Sequence, residues 1–196
     1  MLLSAPTTLL QTNLIADMDA KKLKNQLIVH EGYRTQVYKD SYGNRTVGVG
    51  FNLERLDAVG CLQRVNADFK QVANGEAHLT ADQVQKLLEC GIAKVDAFAR
   101  DVIKGYDELN DVRQRVICDM IFNLGPAGFL KFEKDLTDVP QTTTPSDQLG
   151  TMDLVEEGRF KEAAVRMLKT KWAHQVGRRA KVLSRMMATG EDTYDL

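Results

Sequence analysis

Residues 27–51, LIVHEGYRTQVYKDSYGNRTVGVGF, decide how this chain is read. Leu23, Leu27 and Ile28 recur at helical spacing, and Glu31 continues the same stripe. Gly32 then supplies a helix stop, because it enters the left-handed region without a Cβ clash. A carboxyl group placed there meets burial and the negative end of the helix dipole. Both favour the protonated form that a general acid needs. Beyond the stop, Gln36–Asp40 reads as a strand, Ser41-Tyr42-Gly43-Asn44 as a turn and Arg45–Phe51 as the return strand of a hairpin. Alternation puts Val47, Val49 and Phe51 on one face of that strand, and Thr46, Gly48 and Gly50 on the other. Two glycines on one face predict that something approaches the backbone closely there. Thr46 is then the polar side chain on the cleared face, with Asp40 at the hairpin mouth.

An acid at a helix end, a solvated carboxylate and a hydroxyl within one short segment suit glycoside hydrolysis. One acid protonates the leaving oxygen while a second carboxylate handles water or the sugar cation. Taken singly, Glu31 reads equally well as an ion-pair partner, Asp40 as a turn residue and Thr46 as an ordinary strand residue. The spacing separates the readings: Glu, eight residues, Asp, five residues, Thr. Embedded in HEGYRTQVYKDSYGNRTVGVG, that pattern resembles the phage-type lysozymes of glycoside hydrolase family 24. Their signature is a helix-terminal E-G, then Y-x-D, then T-x-G-x-G.

The resemblance implies an α+β, mainly helical, lysozyme-like fold of two lobes. A small antiparallel sheet belongs to the N-terminal lobe, and a long helix connects it to a helical C-terminal lobe. It implies a hydrolase of bacterial peptidoglycan, cleaving the β-1,4 bond between N-acetylmuramic acid and N-acetylglucosamine. Glu31 would be the general acid; Asp40 and Thr46 would position and activate the attacking water, with inversion as the outcome. Gly48, Gly50 and Phe51 are expected to line the substrate groove. Phe122-Asn123-Leu124-Gly125 resembles the family's F-[NQ]-x-G stretch, which makes Asn123 a substrate contact; the plainer reading is a residue near a helix cap. Trp172, with Arg179 seven residues on, resembles a further family pair. By that likeness Trp172 anchors the C-terminal lobe and Arg179 reaches across to Glu31, opposing the effects of burial and dipole. The sign of the net effect stays open at this stage. Many members carry His where this chain has Phe51, so a His–carboxylate pairing at that position is absent here.

The rest of the chain bounds this reading. With 196 residues, 43% of them hydrophobic, it can bury a core. A net charge of −1 gives no general case for nucleic acid or membrane as partner. Basic residues do gather between Leu154 and Ala188, either as a docking surface for an anionic polymer or as a solvated helix face. Cys61, Cys90 and Cys118 show no CxxC spacing and read as thiols, with Cys118 at the edge of the core. His30, His78 and His174 lack ligand spacing, so neither metal nor other cofactor is expected. The first twenty residues contain no Lys or Arg, and polar residues interrupt their apolar ones. They fit neither a secretory signal nor a membrane span. The expected protein is a monomer, made without a signal peptide and brought to peptidoglycan by a pore, a virion or a secretion machine.

The expected order is an arm over 1–16, one domain over 17–190 and a tail over 191–196. Within the domain, the N-terminal lobe runs to about 79, the connecting helix over 80–104 and the C-terminal lobe over 105–190. Thr80-x-x-Gln83 is a capping box for the connecting helix, and Val84, Leu87, Leu88, Ile92 and Val95 form its apolar stripe. A helix is also expected over 57–71, another from Val112 to a stop at Gly125, and a third over 152–170 that turns Phe160, Ala163, Ala164, Met167 and Leu168 inward. Residues 138–151 read as a flexible loop. Three other functions share much of this pattern. A lytic transglycosylase would use Glu31 alone, a wall-binding or baseplate module would keep a cleft without turnover, and a delivered toxin would differ only in its route.

Overall fold

The computed structural model describes residues 18–40, 43–132 and 149–193. The expected arm over 1–16, the turn residues 41 and 42, most of the 138–151 loop and the last three residues of the tail lie outside the described residues. Helix α1, Ala20–Glu31, starts on Asp19, whose side chain accepts from the Lys21 and Lys22 amides. Leu23 and Leu27 are fully buried, and burying each stabilises the fold by about 1.5–3 kcal/mol. At its far end Gly32 takes φ +77°, and its amide donates to the Ile28 carbonyl at 2.9 Å. The helix therefore stops with Glu31 as its last residue.

Strands β1, Arg34–Lys39, β2, Arg45–Gly48, and β3, Phe51–Asn52, form a three-stranded antiparallel sheet in chain order. The return strand of the sequence reading is thus two strands, not one. Gly48 and Gly50 take φ +70° and +64°, and Val49–Gly50 form the turn that folds the chain back. Left-handed backbone at both ends of so tight a turn requires residues without a Cβ. The register sets Tyr38 opposite Thr46, and Thr46 opposite Asn52, in one row across the sheet.

The helix expected over 57–71 is two short ones, α2, Ala58–Arg64, and α3, Phe69–Ala73. Asn66 at φ +57° breaks the run, and Asp68 starts the second piece by accepting from Gln71 N. Helix α4, Ala81–Val102, is the long element, about 33 Å by its 22 residues. Its capping box closes in both directions between Thr80 and Gln83. The helix stops at Ile103, before Gly105, which at φ +75° leads into a single 3₁₀ turn over Tyr106–Glu108. Val84 packs against β2 at one end of α4, while the helix lies along α5, Asp111–Phe129.

Helix α5 is the centre of the helical lobe. Val116, Ile117, Cys118, Met120 and Ile121 are all at 0% exposure, as are Gln114, Arg115 and Asp119. Over 114–121 the helix is buried on all sides, and its charged groups Arg115 and Asp119 are paired internally. Cys118 therefore lies deep in the core and not at its edge, with burial pushing its thiol up to about 12. Gly125, at φ +68°, interrupts the helix before Pro126. The single helix expected over 152–170 is instead α6, Thr151–Glu156, and α7, Phe160–Met167, divided at Gly158 with φ +73°. Ala163, Ala164 and Met167 face inward, but Leu168, just past the helix end, is 42% exposed. Helices α8, Lys171–Val176, and α9, Arg178–Thr189, complete the chain, α9 packing on α5 and α7. No helix of the described residues is long and apolar enough to cross a membrane.

Candidate active site

A cleft of about 600 Å³ opens between the sheet, α4 and the end of α5. Glu31, Asp40, Thr46, Gly50, Phe51 and Asn123 all line it. Gly48, expected to line the groove, does not, and has Val84 beside it, 3.5 Å from where a Cβ would stand. Arg179 reaches Glu31 as its likeness implied, without lining the groove. The sheet also brings two residues that the motif reading passed over. Tyr38 and Asn52 flank Thr46 in the cross-strand row and share the cleft wall. Tyr38 shares the alternation of Asp40, a signal that the sequence carried; Asn52 reaches the wall only because the chain turns at Val49–Gly50. Burial, and then the neighbouring Glu31, raise the Tyr38 phenol, so it stays a hydroxyl.

Glu31 is half-buried, and its two oxygens have different surroundings. Arg179 Nη1 donates to Oε1 at 2.6 Å. Oε2 sits over Gly50, 3.1 Å from the place a Cβ would take. The close approach that the glycines predict is therefore made, at Gly50, by the acid's own carboxyl group. Oε1 is engaged by a donor, which leaves Oε2, against the cleft-lining Gly50, as the oxygen able to carry a proton.

Asp40 and Thr46 are tied together through Asn44. The Asn44 amide donates to Asp40 Oδ1 at 2.9 Å and its side-chain Nδ2 to Oδ2 at 3.1 Å. Thr46 Oγ1 donates to the Asn44 carbonyl at 3.3 Å. The threonine hydroxyl thus spends its proton on the backbone and keeps its lone pairs for an incoming donor such as water. Asn123 is held by Trp172, whose indole Nε1 donates to Asn123 Oδ1 at 3.0 Å. An indole can only donate, so the amide is oriented with its NH₂ group free of that bond.

Behind Glu31 lies a buried cluster that motif spacing does not reveal. Asp119, at 0% exposure, accepts from Arg179 Nε at 2.8 Å, Gln26 Nε2 at 2.7 Å and His30 Nδ1 at 2.8 Å. A carboxylate only accepts, which assigns the proton of that bond to His30 Nδ1. Burial opposes the ionisation of Asp119, but Arg179 and the bonds from His30 and Gln26 outweigh it and hold the group below its ordinary value. The His–carboxylate pair that Phe51 rules out at one position is thus found at another. Phe51 itself is buried, with the Arg55 guanidinium 5.3 Å from its ring centre. Elsewhere in the cleft wall, Lys94 reaches Asp57 at 2.5 Å and Arg55 pairs with the same carboxylate. Lys94 and then Arg55 hold Asp57 well below the usual carboxylate range against a modest cost of burial.

The sequence model of the phage lysozyme family matches residues 29–188, and the chain belongs to that family. It is 24% identical over 180 residues to "Probable T4-type lysozyme 2" of Dictyostelium discoideum, covering 86% of this chain and 94% of that one. It is 23% identical over 176 residues to "Probable T4-type lysozyme 1" of the same organism, with the same coverage. Membership implies peptidoglycan hydrolysis.

Proposed function

We propose that the chain is an N-acetylmuramidase that hydrolyses the β-1,4 bond between N-acetylmuramic acid and N-acetylglucosamine with inversion. The observation that carries this reading is the pairing of unlike carboxyl groups in one cleft. Glu31 is half-buried with one oxygen on Arg179 and the other against the cleft-lining Gly50, whereas Asp40 is bound by Asn44, whose carbonyl accepts from the Thr46 hydroxyl. Glu31 protonates the glycosidic oxygen from Oε2 as the bond to the sugar breaks, and positive charge develops on the ring. A water held between Asp40 and Thr46 attacks the anomeric carbon from the far face, giving up a proton to Asp40. Asp40 then releases its proton to solvent and Glu31 regains one from it, which restores both groups. Tyr38 and Asn52 supply hydrogen bonds along the wall, and Leu87, Leu88 and Phe122 supply apolar surface for the sugar rings.

The test is turbidity clearing of purified peptidoglycan, with mass and anomeric analysis of the products. Glu31→Gln is expected to lower turnover by about 10³-fold or more while the thermal transition persists, and Asp40→Asn by about 10²-fold or more. Equal activity in wild type and Glu31→Gln would end the assignment. An anhydro-muramic product would replace hydrolysis by transglycosylation.

A further inference from the structure

Asp119 lies on α5 with no exposure to the cleft, yet its contacts converge on the acid. Arg179 gives Nε to an Asp119 carboxylate oxygen at 2.8 Å and Nη2 to the Asp119 carbonyl at 3.3 Å. Only the remaining nitrogen, Nη1, reaches Glu31. On the other side, His30 and Gln26 bind the second carboxylate oxygen, and Gln26 is itself oriented by Arg115 Nη1 at 3.0 Å. His30 is the residue just before Glu31, so one buried carboxylate grips both the arginine and the helix turn that carries the acid.

We propose that Asp119 is a positioning residue for the proton donor: it aims Arg179 Nη1 at Glu31 and offsets the guanidinium charge beside that carboxyl group. This rests on the assignment of Glu31 as the general acid. An unaccompanied guanidinium at hydrogen-bond distance favours the carboxylate form and lowers its titration by about one to three pH units. Paired with Asp119, Arg179 presents Glu31 with a dipole instead of a net cation. An asparagine at residue 119 could accept from Arg179 Nε but would turn its NH₂ group towards the Gln26 and His30 donors, so the carboxylate both satisfies three donors and carries the charge that offsets the guanidinium. Among the described residues, His30 adjoins Glu31 on α1, Tyr38 on β1 interacts with it, and Asp40, Arg55 and Lys94 line the same cleft. These are common to wild type and variants.

The experiment is a ¹³C-carboxyl NMR titration of Glu31 in the full chain, beside the pH profile of kcat/KM on purified peptidoglycan. In Asp119→Asn the Glu31 titration and the alkaline limb are expected to move to lower pH by about one unit or more. In Arg179→Gln, where the cation is removed, both are expected to move to higher pH. Shifts of opposite sign are the signature, since a cluster that only maintains packing moves neither. Unchanged titrations, or shifts of the same sign, would overturn the proposal. If Asp119→Asn does not fold, Asp119→Ser, which also removes the charge, takes its place; Arg179→Gln reads the guanidinium's own effect. Wild-type protein that cleaves nothing would sink the hydrolase assignment, while the NMR shifts would still judge the electrostatic one.

Discussion

Glu31 and Asp40 stand nine positions apart in the chain and are held in opposite ways. The arginine on Glu31 comes from 148 residues away, and that arginine is fixed by a carboxylate 60 residues from it. Asp40 is held by Asn44, four residues on, inside its own loop. Among the described residues, the bond on Glu31 is tertiary and the Asn44 bonds on Asp40 are local. The difference fits the roles proposed for the two groups. A proton donor must have its protonation tuned, which takes charges placed at fixed distances in a poorly screened interior. A carboxylate that orients water needs solvent and a fixed direction, and a short loop can supply both.

Acid unfolding is the broadest way to break this contrast. Asp119 is held below its ordinary value of 3.8, so its contribution to stability is present above that value and is lost as pH falls through the lower, folded one. The melting temperature should drop as the pH passes below about 4, and Asp119→Asn should flatten that dependence. Asp40→Asn should leave it in place, and calorimetry across the acid range reads both. A smaller effect is expected from Gly50→Ala. The added Cβ would sit 3.1 Å from Glu31 Oε2 on backbone at φ +64°. The strain should cost about 1–2 kcal/mol in chemical denaturation, and displacement of the acid should lower kcat about 10- to 100-fold. The smallest is expected from Asn44→Ala, which removes one of the Asp40 anchors but keeps the backbone amide. Turnover should fall by about 3- to 10-fold, about 1 kcal/mol in the barrier, with stability changed by no more than about 0.5 kcal/mol. A large loss of stability in Asn44→Ala would show that the loop is not the self-contained unit described.

Local chemistry by itself determined much of this protein. The capping box at Thr80 and Gln83, the stop at Gly32, and the stripe of Leu23 and Leu27 are written in short-range spacing, and the structure has each of them. So are the positions of Glu31, Asp40 and Thr46, because a helix stop and a hairpin are decided by neighbours in the chain. Two glycines misled the reading of the return strand, since a cleared strand face and a tight turn demand the same residue. Only the tertiary structure decided what surrounds the acid. Gln26, His30, Asp119 and Arg179 come from three helices, α1, α5 and α9, and no periodicity links them. Electrostatic coupling depends on distance through space, and in a buried cluster that distance is set by packing, not by sequence separation.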